Sequence, residues 1–103
     1  MSNFRETEAK VYQWGKDRGI VQHGKPMGQA IKTLEETTEL LDAINKGSET
    51  EVEDAIGDIM VTLVMVCATM NLDMQVCFEK AYQVIKNRRG YLDAEGVFHK
   101  EKE

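Results

Sequence analysis

Proline is nearly missing from this chain: Pro26 is the single one in 103 residues. With 42% hydrophobic residues beside it, that composition excludes a disordered or proline-rich tract and points to a folded protein. Cysteine is also sparse, with two residues. Cys67 and Cys77 have no CxxC spacing, cannot make a disulfide framework, and read as buried reduced thiols. The zinc-site spacings are absent, and so are a glycine-rich phosphate loop and a readable Ser/His/Asp arrangement. There are two histidines, His23 in a predicted loop and His99 in the tail, so the Glu-x-x-His pairs of a di-iron bundle cannot form. Both read as surface residues. The longest uncharged apolar run, Ile59 to Met70, is too short to cross a bilayer. The N-terminal Met-Ser-Asn-Phe-Arg-Glu-Thr-Glu is too polar for a signal peptide. A soluble, cytoplasmic protein is expected. The net charge of −5 disfavours a nucleic-acid polymer or an anionic membrane as partner, though not a nucleotide brought in by a metal.

What is present is helical. At this length one domain, residues 1–103, with one modest core is expected. Asn3 to about Arg18 reads as a first helix anchored by Phe4, Val11 and Trp14, with Gly19 as its left-handed stop. Ile20 to Lys25 reads as a loop. Pro26 suits the first turn of a second helix running to about Lys46, with Met27, Ile31, Leu34, Leu41 and Ile44 as its apolar stripe. Gly47 ends it. Ser48 with Glu51, and Thr50 with Glu53, fit capping boxes for a third helix that runs to about Met70. Asp73 is the expected N-cap of a fourth, which carries Cys77, Phe78, Ala81, Val84 and Ile85 inward and stops before Gly90. Turn residues at Asp93-Ala94-Glu95-Gly96 leave the tail as a short hairpin or an extended arm.

The second and third helices carry the chemistry. At about 100° per residue, Gln29, Lys32, Glu36 and Glu39 share a stripe opposite Leu34, with Glu35 at its border. Glu51, Asp54 and Asp58 form a stripe opposite Val52, Ile56, Ile59 and Leu63. Acids on a polar face are ordinarily solvated surface. Here the second stripe continues through Val61, Met65 and Ala68, so the third helix is apolar all round in its later half and enters a second interface. Carboxylates at the edge of such an interface repel one another and need a cation. Lys32 neutralises one of them; a divalent ion held by oxygens neutralises several, and Mg²⁺ there suits phosphate chemistry. Two apolar faces on a central helix also predict self-association, most simply as a two-fold dimer.

The run Gln29-Ala-Ile-Lys32-Thr-Leu-Glu35-Glu36-Thr-Thr-Glu39-Leu, followed by Ile56-Gly57-Asp58, resembles the MazG-type nucleoside triphosphate pyrophosphohydrolases. The resemblance extends from about Trp14 to Lys100. It implies an all-α fold, four-helix bundle-like, whose subunits intertwine as homodimers or dimer-of-dimers tetramers. It implies Mg²⁺-dependent cleavage of a nucleoside triphosphate between the α and β phosphates, to a monophosphate and pyrophosphate, with Mn²⁺ as a substitute metal and nucleotide-pool cleansing as a role. Carried over by position, Glu36, Glu39 and Asp58 are metal ligands, and Glu35 is a ligand or the group that orients or activates water. The family writes its second motif ExxD. This chain has Ala55 three residues before Asp58, and Asp54, on the same stripe, is expected to replace the missing glutamate. Lys86 and Arg89, near the end of the fourth helix, correspond to basic residues that bind the triphosphate in the family; a helix C-terminus also favours them through the macrodipole. Lys32 reads either as a phosphate contact or as an ion-pair partner of Glu36 or Glu39. Trp14 reads either as a base platform or as core. The alternative function is a non-catalytic module that binds metal or nucleotide and lost turnover with the altered ExxD.

Overall fold

The computed structural model describes residues 2–101. Helix α1 spans Phe4–Asp17; the Asn3 side chain caps it by accepting from the Glu6 N–H at 2.9 Å. Gly19 follows at φ +80°, a left-handed turn that suits glycine. Ile20–His23 then form a one-turn helix, α2, where the sequence reads as a loop, and His23 closes it. Four residues carry no readable periodicity; tertiary contact of α2 with a later helix supplies what local propensity does not.

Helix α3, Pro26–Lys46, begins on Pro26 and ends at Gly47, φ +75°. Helix α4, Glu49–Thr69, is capped by Ser48, whose hydroxyl accepts from the Glu51 N–H. Asn71, at φ 55°, turns the chain. Asp73 caps helix α5, Met74–Ile85, by accepting from Gln75 and Val76. Arg5 of α1 also pairs with Asp73 at 3.2 Å and ties the two helix starts together. Helix α5 stops earlier than its sequence suggests: Lys86 is its C-cap, and Arg89 lies beyond it. The tail is a hairpin. Strand β1, Gly90–Leu92, pairs antiparallel with β2, Phe98–Lys100, in the register Gly90↔Lys100, Tyr91↔His99, Leu92↔Phe98.

The two-residue link Gly47-Ser48 makes α3 and α4 an antiparallel hairpin, and this pair dominates the packing. Helices α1 and α2 lie on another side of α4. The core runs along α4: Ala55, Thr62, Val64 and Met65, with Ala43 of α3. Met65 is 1% exposed and sits on Gly15 of α1, where a Cβ would overlap its thioether. The second interface expected for Val61, Met65 and Ala68 is thus formed within the chain, against α1 and α2.

Two expectations of burial do not hold within one chain. Met27, Ile31, Leu34, Leu41 and Ile44, the apolar stripe of α3, are all exposed. Among the described helices α3 packs on α4 alone, through a different face: Gln29, Thr33, Glu36, Thr37, Leu40 and Ala43 are its covered residues there. Helix α5 leaves α4 at 106° and touches it only near the turn. Cys77, Phe78, Ala81, Val84 and Ile85, expected inward, are exposed, so the four-helix bundle is incomplete within one chain. Cys67 is half-buried rather than buried. Trp14 is a surface residue, with the Arg18 guanidinium 4.6 Å from its ring centre. No single helix among the described residues is long and apolar enough to cross a membrane.

Candidate metal centre

The α3–α4 hairpin holds its two helices at successive levels. Nearest the turn, Lys46 pairs with Glu51 at 3.0 Å. Next, the small residues Ala43 and Ala55 are both buried on one cleft, which lets the backbones approach. At the far end Thr33 Oγ1 donates to Thr62 Oγ1 at 2.8 Å. Between these levels the acids meet. Glu36, Glu39 and Asp58 each offer a carboxylate oxygen, all within 4.8 Å of one another.

Helical spacing explains the grouping. Glu36 and Glu39 are three residues apart and share a face of α3, while Asp58 points to them from α4. Glu36 is half-buried; Glu39 and Asp58 are exposed. The Glu36 carboxyl is held above its ordinary value, first by a hydrogen bond with Glu39, then by burial and by the charges of Glu39 and Asp58. Its Oε2 is buried with no hydrogen-bond partner. A buried, unpaired carboxylate oxygen beside two more carboxylates is costly without a proton or a cation. An octahedral ion with oxygens at about 2.1 Å spaces its ligands roughly 3–4.2 Å apart, so small side-chain adjustments close this trio on Mg²⁺ or Mn²⁺. The donor set, all hard oxygen, fits those ions.

Other residues singled out from the sequence fall around this trio. Asp54 lies one turn before Asp58 and lines a cleft of about 370 Å³ with Glu39, Asp42 and Asp58. Asp54 and Asp58 also border a more apolar cavity of about 830 Å³ between α1 and α4, walled by Phe4, Val11, Met60 and Val61. Glu35 stands outside the trio and pairs with Lys32 at 3.1 Å. Lys32 therefore chooses Glu35 rather than Glu36 or Glu39, and that contact holds its ammonium firmly charged. Trp14 lines neither cavity beside the acids.

Lys86 and Arg89 are not brought to the acids of their own chain. From Asp58 to Thr69 α4 rises about 16 Å, and α5 then departs at 106°. Arg89 instead borders a pocket with Arg88 and Lys100 at the base of the hairpin. Sequence reasoning missed Asp42, which its spacing three residues after Glu39 could have flagged, and the Thr33–Thr62 contact, which no motif signals.

The match to a known family takes in the same two helices. The family model for the MazG nucleotide pyrophosphohydrolase domain matches residues 29–92, from the first turn of α3 through β1. Over 73 residues the chain is 30% identical to an uncharacterized 18.2 kDa protein encoded in the rep-hol intergenic region of Haemophilus phage HP1 (strain HP1c1). That alignment takes in 71% of this chain and 45% of the phage protein, so the chain spans less than half of that relative. No solved structure matches. Because the matched stretch contains the acidic trio, the hairpin that assembles it and more than half of the residues, the chain belongs to the MazG nucleotide pyrophosphohydrolase domain family.

Proposed function

We propose that this protein is a Mg²⁺-dependent nucleoside triphosphate pyrophosphohydrolase that cleaves between the α and β phosphates. The observation that carries the reading is the Glu36–Glu39–Asp58 trio with its orphaned Glu36 oxygen. Those three carboxylates hold the metal, and Asp54, one turn before Asp58 on the same cleft, supplies the oxygen that Ala55 cannot. Mg²⁺ held there would screen phosphate charge and make water at the site more acidic.

The chain's own groups do the rest. Glu35, exposed beside the trio, accepts the proton of the attacking water as its oxygen bonds to phosphorus and the bridging oxygen leaves with pyrophosphate. Lys32 moves from Glu35 to a phosphate oxygen, and a bound phosphate is what frees Glu35 for that proton. The 830 Å³ cavity beside Asp58 is within the usual range for a small-molecule site, about 300–1,000 Å³, and takes the nucleoside.

Assembly belongs to the same proposal. A folded 11.7 kDa monomer exposes about 5,900 Å². This chain exposes 8209 Å², and its radius of gyration is 16.1 Å where a compact chain of its length has about 12.8 Å. The excess, about 2,300 Å² per chain, is enough for an obligate interface, and the open faces of α3 and α5 supply it as a homodimer or dimer of dimers. In that assembly Lys86 and Arg89 of a second copy reach the triphosphate that they cannot reach in their own.

Ala55, 4% exposed where the family carries glutamate, favours a second reading: a module that binds metal or nucleotide without turnover. One assay separates them. Pyrophosphate plus monophosphate released from a panel of ribo- and deoxyribonucleoside triphosphates, with Mg²⁺ and not with EDTA, is the expected result. Glu39→Gln abolishes it. Metal-dependent nucleotide binding without release from any nucleotide selects the module instead, and full activity in Glu39→Gln removes the site.

A further inference from the structure

We infer that Thr62, through its hydroxyl bridge to Thr33, is a positioning residue for the acidic trio. This inference rests on the metal reading above. Thr62 is the buried polar residue of the core, 9% exposed in the middle of apolar α4. Thr33 precedes Glu36 by three residues, and Thr62 follows Asp58 by four. In an antiparallel pair both offsets lead the same way, so the bridge lies about one helical turn from the acids.

The bond has a defined direction. The Thr62 hydroxyl donates to the Ile59 carbonyl at 2.7 Å, which leaves its oxygen free to accept from Thr33. The Thr33 hydroxyl has one proton, and its second acceptor, the Gln29 carbonyl, is 3.1 Å away. Among the described residues this is the side-chain hydrogen bond that joins the middle of α3 to α4; the Lys46–Glu51 pair sits at the turn and is exposed.

The neighbouring levels explain why a directional bond matters here. Asp58 faces Glu36 and Glu39 across the two helices with carboxylate oxygens within 4.8 Å, and like charges at that distance push α3 and α4 apart. The Ala43–Ala55 level permits close approach but resists sliding only weakly, since small apolar surfaces have no preferred register. A hydrogen bond fixes donor and acceptor within a few tenths of an ångström, and metal ligands need placement within about 0.5 Å. The Thr33–Thr62 bond therefore sets the register in which Glu36 faces Asp58.

Thr62→Val keeps shape, and Thr33 then turns its proton to the Gln29 carbonyl, so no buried donor is stranded. The experiment is Mn²⁺ affinity by electron paramagnetic resonance on protein whose Tm is measured alongside. Thr62→Val weakens Mn²⁺ binding by about tenfold, as loss of a group supporting metal ligands does elsewhere. Thr33→Val gives the same loss, and the double variant adds little, because both remove one bond. Thr62→Ser, which keeps the hydroxyl, retains wild-type affinity. Thr69→Val removes a hydroxyl of the same helix that bonds only to its own Met65 and Val66 carbonyls, and leaves affinity unchanged even where Tm falls. Wild-type affinity in both Thr62→Val and Thr33→Val overturns the inference while the metal site stands. Wild-type protein that binds no Mn²⁺ overturns the metal reading and this inference with it.

Discussion

Helix α5 and the second half of α4 are alike in sequence and opposite in surroundings. Both are rich in large apolar residues. From Ile59 to Thr69 every residue of α4 is covered or partly covered, because α1, α2 and α3 surround it. In α5 every residue except Met74 is exposed, Phe78 at 68% and Val84 at 65%. An apolar face in water is unfavourable by roughly 25 cal/mol per Å² wherever it occurs. The difference teaches that the sequence encodes burial for α5 which the described residues of its own chain do not supply; the assembly proposed above would supply it from another copy.

The sharpest way to break that comparison is a pair of deletions. Met65→Ala removes a side chain buried in one chain and costs about 2–5 kcal/mol, a Tm drop of about 10 °C or more, independent of protein concentration. Phe78→Ala costs nearly as much at high concentration, where a partner covers α5, and almost nothing at dilutions where single chains prevail. Melting curves across a thousandfold dilution series, with sedimentation to report mass, read both. A Phe78→Ala effect within about 0.5 kcal/mol at every concentration means that α5 is solvent-facing in the working protein.

The same contrast explains what the sequence disclosed and what it hid. Helix ends were legible because caps are local: Ser48, Asp73, Gly19 and Gly47 do chemistry with residues a few positions away. The acids were legible because three-residue spacing puts Glu36 and Glu39 on one face whatever the neighbours. The partner of each face was not. Hydrophobic periodicity marks Met27, Ile31, Leu34, Leu41 and Ile44 as buried somewhere, without saying against what. The face that actually meets α4 carries Gln29, Thr33, Glu36 and Thr37, residues with no apolar signal. Close helix contact through small and hydroxyl side chains has no strong apolar signal. Asp42 and the wall of α1 escaped notice for a related reason: a cleft is assembled in three dimensions, and each of its residues is ordinary alone.

A smaller effect tests the acidic level of the hairpin against its apolar neighbours. Glu36 keeps its proton in the folded chain to a higher pH than its ordinary value of 4.5. The folded state then binds more protons at Glu36 than the unfolded one in that window, so the contribution of Glu36 to metal-free stability is fully present below 4.5 and is lost as pH rises through the raised value. On the metal reading proposed above, a divalent ion would replace the proton. Added Mg²⁺ therefore raises Tm at pH 7, and the increment shrinks as pH falls toward 4.5. Thermal melts with and without Mg²⁺ from pH 4 to pH 8 measure it. An increment that stays constant across this range, or that survives in Glu36→Gln, removes Glu36 from the ligand set.

The smallest effect belongs to the C-terminal hairpin, whose strands pack on no helix among the described residues and which depends on its own turn. Asp93 holds that turn: its Oδ1 accepts from the Glu95 and Val97 N–H groups, each at 2.9 Å, and its Oδ2 meets His99 Nε2 at 2.6 Å. The ring of His99 in turn stacks on Tyr91 across the strands, centres 5.3 Å apart. These bonds, the Val97 N–H first and His99 next, hold the Asp93 carboxyl below its ordinary 3.8. For a depressed acid the sign is the reverse of that at Glu36. The contribution is fully present above 3.8 and disappears as pH falls through the depressed value, when the carboxylate that accepts those bonds is protonated. Because Asp93 is only half-buried and its partners all lie in the hairpin, the loss is local and leaves the helices intact. Amide exchange of Glu95 and Val97 should quicken, relative to that of the α4 amides, as pH is lowered through this range, while Asp93→Asn should be fast throughout and insensitive to it. If protection in the variant matches the wild type, backbone pairing of Gly90–Leu92 with Phe98–Lys100 holds the hairpin without its turn, and the tail is as self-sufficient as α5 is dependent.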